Sequence, residues 1–170
     1  DLAVRAAAAL KRETGCPFGV ELAVTKRIPQ GGGLGGGSSD AASVLLALNR
    51  LWDVGLPRAE LVRIGSALGA DVPFFLHGEP AVGRGIGEQL TPVSLPPYWA
   101  AVIAPTVTVQ TASIFAAAEL TRDGQSAKMD VFSEGYGRND LQPIAVARFP
   151  AIATALTMLR ERSGCARMTG

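Results

Sequence analysis

Residues 26–52 read KRIPQGGGLGGGSSDAASVLLALNRLW. Six glycines flank one leucine, Leu34, and two serines and an acid lead at once into an apolar run. From Ala41 to Trp52 the residues Val44, Leu45, Leu48, Leu51 and Trp52 recur at helical spacing, and Ser38, Ser39 and Asp40 are of the types that cap helix starts. Upstream, Phe18, Val20, Leu22 and Val24 alternate with Gly19, Glu21, Ala23 and Thr25, which predicts a strand covered on one face. A strand, a glycine loop and a helix in succession make an anion cradle, because a helix start leaves N–H groups unpaired and carries partial positive charge. Glycine suits the loop: a Cβ would hold an anion away, and tight turns need positive φ. The dipole alone contributes only about 0.3–1 kcal/mol, so a polyphosphate needs several converging N–H groups.

Side-chain requirements separate the kinds of phosphate loop. The Walker pattern needs a lysine immediately before its Ser/Thr, and Gly37 stands there instead. The dinucleotide spacing G-x-G-x-x-G is met by Gly31, Gly33 and Gly36, but in so dense a run almost any spacing is met. It also requires a second parallel strand ending in an acid about 20 residues on, whereas Asp53 ends a helix and another helix follows. A flexible linker would also use glycine and serine, yet linkers seldom join an alternating strand to a capped helix without polar padding.

The remainder of the chain mixes helices and strands without regular alternation, which predicts an α+β architecture. Residues 2–14 have helical periodicity and stop at Gly15, and a second helix is expected over 58–68, closed by Gly69. Asp71 follows in Gly69-Ala70-Asp71-Val72-Pro73, a turn or cap position. Residues 81–93 read as strands or a hairpin, and Pro92, Pro96 and Pro97 mark a break, so a boundary is expected between 1–94 and 95–170. Beyond it, a short strand is expected over 99–104, a helix over 111–120, a polar loop over 121–137 and helices near 139–148 and 150–162. Both ends read as cut: the chain opens inside a helix and closes on Arg167-Met168-Thr169-Gly170, a strand heading into a glycine turn, so a fragment is expected.

Composition narrows the partners. The 170 residues are 48% hydrophobic and 18% charged, enough for a substantial core in one large or two small domains. Sixteen Lys+Arg against fifteen Asp+Glu leave a net charge of +1 without long single-sign blocks, which gives no support to nucleic-acid or acidic-lipid binding. Cys16 and Cys165 lack partners at metal-ligand spacing, and no apolar run approaches the roughly 18 residues that span a bilayer. A cytoplasmic protein without a membrane anchor is expected, as a monomer or weak homodimer. His77, the single histidine, reads as a surface or turn residue, and Lys26 and Arg27 either assist phosphate electrostatics or form a solvated pair.

The stretch Pro29, Gln30, Gly31, Gly32, Gly33, Leu34, Gly35, Gly36, Gly37, Ser38, Ser39 and Asp40 resembles the nucleotide loop of the GHMP kinases. Its tripled glycines on both sides of the leucine are similar to the form in the branch acting on a diphosphocytidyl-linked polyol in isoprenoid precursor synthesis. The resemblance continues through residues 68–75 around Asp71, through Gly85-Ile86-Gly87-Glu88, and from Gly137 to Pro143 with Asn139-Asp140-Leu141, so it spans essentially the whole chain. It implies a two-domain fold, ribosomal protein S5 domain 2-like in the N-terminal part and ferredoxin-like in the C-terminal part. It also implies transfer of the ATP γ-phosphoryl to an alcohol, with ATP and Mg²⁺ as cofactors. On this reading Pro29 to Ser39 bind ATP, Ser39 also lies near Mg²⁺, and Asp71 is the catalytic aspartate. Phe115 stacks on the substrate's cytosine with Thr111 nearby, and Thr169-Gly170 begins a third glycine-rich motif at the phosphate site. The family's active-site lysine and further cytosine contacts would precede Asp1, so this piece alone lacks part of the constellation. Two rivals remain: a noncatalytic domain of the same two-layer fold, which wants a basic face, and a nicotinamide-dependent oxidoreductase, which wants an acidic strand end.

Overall fold

Asp1 opens the first helix by accepting the Ala3 N–H on its carboxylate at 2.8 Å. The helix, α1 (Leu2–Thr14), closes at Gly15, whose φ of 65° is the left-handed conformation that a side chain disfavours. The structure, a computed structural model, describes residues 1–87, 89–122 and 138–169. It divides into two units, one of Asp1–Ile28 with Gly35–Leu95, the other of Pro29–Leu34 with Pro96–Gly170.

In the first unit α1 packs against α2 (Gly36–Leu51), with α3 (Arg58–Ser66) and α4 (Val72–His77) completing the helical layer. Their shared core holds Leu10, Leu45, Leu61 and Leu76, each 2% exposed or less. Burial of one such leucine contributes about 1.5–3 kcal/mol, so these four are a main source of cohesion. Asn49 ties α2 to the turn before α3 through both ends of its amide: Nδ2 donates to the Leu56 carbonyl at 3.0 Å and Oδ1 accepts the Leu56 N–H at 2.9 Å. The unit ends in an antiparallel hairpin, β1 (Ala81–Arg84) and β2 (Gln89–Pro92), with Ala81 opposite Pro92 and Arg84 opposite Gln89. The mixture of helices with a small sheet is the expected α+β class.

The second unit has α5 (Thr111–Phe115), α6 (Gln142–Arg148) and α7 (Pro150–Ser163). Ile114, Ala117, Leu120 and Ile144 form one core cluster, and Ala145, Ile152 and Leu156 a second, with Phe149 packed against both.

Several expectations are corrected. Residues 18–25 form no strand, and Phe18 and Val24 stay 58% and 41% exposed. Alternation supplies a face, but a strand also needs a neighbour for its N–H and C=O groups, and among the described residues none pairs with it. Residues 99–104 are irregular for the same reason, with Trp99 fully exposed, and residues 165–169 are likewise not a strand. Helix α2 begins at Gly36, five residues before Ala41, so Ser38, Ser39 and Asp40 lie inside it and none of them caps it. The cap is Gly35, in the left-handed conformation at φ 67°. Helix α5 stops at Phe115 instead of 120, and α3 stops at Ser66 instead of 68. Helix α4 was not anticipated, because its six residues are too few to show a period. Glu88, Gly137, Gly170 and the expected polar loop from residue 123 onward lie outside the described residues.

Candidate active site

In the first unit the site begins at the entry to α2. Gly35 turns the chain, and the Ser39 N–H donates to the Gly35 carbonyl at 2.9 Å, closing the first helical turn. Helix geometry leaves the N–H groups of Gly36, Gly37 and Ser38 without intrahelical acceptors, and those three groups form the anion-attracting end. Gly35 is demanded by space as well as by φ. A Cβ on Gly35 would lie 2.7 Å from Cε2 and Cζ of Phe75, and one on Gly36 would meet the Ile28 side chain at 3.4 Å. Bare backbone is therefore built into this helix start.

Phe75 brings α4 to that point, in edge-to-face contact with Phe74 at 5.4 Å between ring centres. Asp71 stands one helical turn before Phe75, four residues back, and so lies on the same side of α4. It occupies the cap position of α4, yet its side chain makes no cap bond. The exposed carboxylate has no hydrogen bond or ion pair among the described residues, which leaves it available for an incoming hydroxyl. The hairpin turn lies beside it, since a Cβ on Gly87 would come within 3.9 Å of the Ala70 carbonyl.

Lys26 does not stand free. Its ammonium pairs with Asp40, and with Asp1 at 3.1 Å. The pair neutralises a carboxylate near the start of α2. Arg27 makes no hydrogen bond or ion pair among the described residues. His77 lies in the last turn of α4, its Nε2 buried and unpartnered.

The second unit contains the other half of the loop, Pro29–Leu34. Gly31 and Gly33 have φ of 73° and 66°. Gly31 faces the Thr108 methyl, 4.0 Å from where a Cβ would stand, and the Thr169 hydroxyl donates to the Gly33 carbonyl at 3.1 Å. In the same unit Thr111 is the first residue of α5 and Phe115 the last. Phe115 is 55% exposed and so is not a core residue, while its carbonyl accepts from Arg122 Nη2 at 2.7 Å. Asn139 turns the chain into α6 by accepting the Leu141 N–H at 2.9 Å, whereas Asp140 pairs with Arg138 at 2.9 Å and caps nothing.

The contacts of Phe75 with Gly35 and of Thr108 with Gly31 carried no signal in the sequence, because each is tertiary. Among the described residues no three His, Cys, Asp or Glu side chains cluster as a metal site, and no single helix is long and apolar enough to cross a membrane.

Residues 1–79, which include the helix entered through glycines and the unengaged carboxylate, match the family described as "GHMP kinases N terminal domain". The chain is 55% identical, over its whole length, to the 4-diphosphocytidyl-2-C-methyl-D-erythritol kinase of Ralstonia pickettii (strain 12J), covering 61% of that relative. It is also 53% identical over its whole length to the kinase of the same name from Aromatoleum aromaticum (strain DSM 19018 / LMG 30748 / EbN1), of which it covers 60%. A solved structure, the crystal structure of 4-(cytidine 5'-diphospho)-2C-methyl-D-erythritol kinase, superposes with a TM-score of 0.78 at 36% identity, over 94% of this chain and 61% of that one. The chain thus spans about three fifths of the length of the curated relatives it matches. Neither rival class, the noncatalytic domain or the nicotinamide-dependent oxidoreductase, finds support among these relatives.

Proposed function

We propose that the full-length protein transfers the γ-phosphoryl group of ATP to the 2-hydroxyl of 4-diphosphocytidyl-2-C-methyl-D-erythritol, a step of isoprenoid precursor synthesis in the cytoplasm. The observation that carries the proposal is Asp71: an exposed, unengaged carboxylate one turn from the ring that packs on Gly35 at the head of α2. The names of the relatives supply the substrate. Residues 1–94 are read as the N-terminal ATP-binding domain and 95–170 as a C-terminal domain of ferredoxin-like type.

Phosphoryl transfer needs little covalent chemistry from a protein, and most of its catalysis is positioning and charge stabilisation. Residues Pro29 to Ser39 hold the triphosphate, with the N–H groups of Gly36, Gly37 and Ser38 aimed at it and the two serine hydroxyls as further donors. Asp71 accepts the proton of the attacking hydroxyl, or orients that hydroxyl toward phosphorus. Phe115 receives the face of the cytosine, with Thr111 one helical turn before it in α5. Mg²⁺ suits this set of residues because it keeps most of its ligands as water and phosphate oxygen. The Ser39 hydroxyl, which makes no hydrogen bond among the described residues, would be the nearby protein group for it, since Asp40 is already occupied by Lys26. When bound, the metal neutralises charge on the transferring phosphate.

The test is ATP consumption by the full-length protein with and without the diphosphocytidyl substrate. Consumption that depends on that alcohol supports the reading. Binding of NAD with no ATP turnover would overturn it.

A further inference from the structure

We infer that Asn139 and Gln142 are positioning residues that set the shape of the glycine loop through Met168 and Thr169. The inference rests on the ATP-binding reading of that loop. All four residues and Pro29–Leu34 belong to the second unit.

Met168 is held at both of its backbone groups. Its N–H donates to Gln142 Oε1 at 2.8 Å, and its carbonyl accepts from Asn139 Nδ2 at 3.0 Å. The orientation of the Asn139 amide follows from its other end, since Oδ1 accepts the Leu141 N–H at 2.9 Å and a flipped amide would set donor against donor. The Met168 side chain packs against the cluster of Ala145, Ile152 and Leu156. Asn139, just before α6, and Gln142, its first residue, thus hold Met168 from two sides, and the next residue, Thr169, reaches Gly33 across 136 positions of sequence.

Pinning the Gly33 carbonyl determines more than one atom. A trans peptide is planar, so its carbonyl and the following N–H point in opposite directions. The Thr169 hydroxyl on the Gly33 oxygen therefore turns the Leu34 N–H away from Thr169 and fixes its direction. Glycine backbone is the part of a chain with the most conformational freedom to lose, so a loop of glycines gains most from such a restraint.

The prediction is read in the full-length protein by two measurements. Amide hydrogen exchange over residues 31–34 is followed without nucleotide, and KM is measured separately for ATP and for the alcohol substrate. Thr169→Val and Gln142→Leu should each speed exchange at Leu34 and raise the ATP KM by about three- to tenfold, the effect of one net hydrogen bond. The KM for the alcohol should not move. The double variant should resemble either single one, because both remove the same contact. Thr169→Ser and Gln142→Glu keep the donor and the acceptor and should restore both readouts, whereas Asn139→Asp keeps the Leu141 contact, loses the donor to Met168 and should not. Unchanged exchange in both Thr169→Val and Gln142→Leu overturns the inference, and so do rescue variants that behave like the disruptive ones. Faster exchange with an unchanged ATP KM upholds the restraint and removes the nucleotide from the loop. Should Gln142→Leu fail to fold, the exposed Thr169 carries the test by itself.

Discussion

The ring of Phe75 stands where the side chain of any residue but glycine at position 35 would begin: a Cβ there would lie 2.7 Å from two ring carbons. The contact joins the start of α2 to the helix that carries Asp71. Gly35→Ala meets two penalties, the clash and a φ of 67°, and left-handed strain alone costs about 1–2 kcal/mol. The variant should melt about 2–8 °C lower. Gly35→Ala combined with Phe75→Leu should recover only the part due to the clash. Melting unchanged in Gly35→Ala would show that the ring yields without cost.

Asp71→Asn keeps the shape of the side chain and removes its basicity. Turnover should fall by about 10² to 10⁴, the usual worth of a general base, with ATP affinity nearly unchanged. Isothermal titration with ATP beside single-turnover kinetics separates the two effects. Near-normal turnover would return Asp71 to the role of a turn residue.

Phe115→Ala removes an exposed ring and leaves no cavity in the core, so its effect should appear in binding rather than folding. Base stacking of about 1–3 kcal/mol predicts a rise in the KM of the diphosphocytidyl substrate of about 5- to 150-fold. The KM of ATP and the melting temperature should stay put. A melting loss with no change in substrate KM is the contrary result.

Gly65→Ala is the stability control away from the loop. A Cβ there would lie 2.8 Å from Leu76 Cδ1 and Val72 Cγ1, where α3 and α4 pack most closely. Overpacking of this kind costs about 1–3 kcal/mol. Urea unfolding should show the loss, and an unchanged midpoint would mean that α4 moves aside freely.

Glu13 gives a pH signature. The hydrogen bond from Arg63 at 2.7 Å, together with that guanidinium's charge, holds its carboxyl below the ordinary value of 4.5. A depressed folded-state pKa means the pair's contribution is present above the unfolded value and disappears as pH falls through the lower folded one. The difference in melting temperature between the protein and Glu13→Gln should therefore be largest near neutral pH and shrink below about pH 4.5. Both groups are exposed, so added salt should also reduce it. A difference independent of pH would exclude the ion pair as its source.

Much of the helical layer was legible because its signals are local. The stop at Gly15 and the helix after the glycines follow from backbone conformation and a 3.6-residue period, and both occur. The hairpin at 81–92 was legible from glycine alternating with apolar residues. The head of α2 was misread by five residues because Ser38, Ser39 and Asp40 are good caps in general, while Gly35 takes the cap through a conformation that composition does not announce. The segment over 18–25 was misread because pairing is a property of two segments and alternation a property of one. Within the candidate site, the residues proposed to bear chemistry were picked out from the loop and from the resemblance around Asp71. The residues that hold them, Phe75 against Gly35 and Gln142 on Met168, could not be, since nothing in the chain marks which distant positions will meet.

Residues 18–25 have a practical consequence for anyone handling this polypeptide. Phe18, Val20 and Val24 are uncovered and alternate along a segment without a strand partner among the described residues, a pattern that favours stacking of identical chains. Concentrated solutions of this sequence should thicken or cloud by self-templated assembly, and a lysine at Val20 or Val24 is the simplest gatekeeper against it.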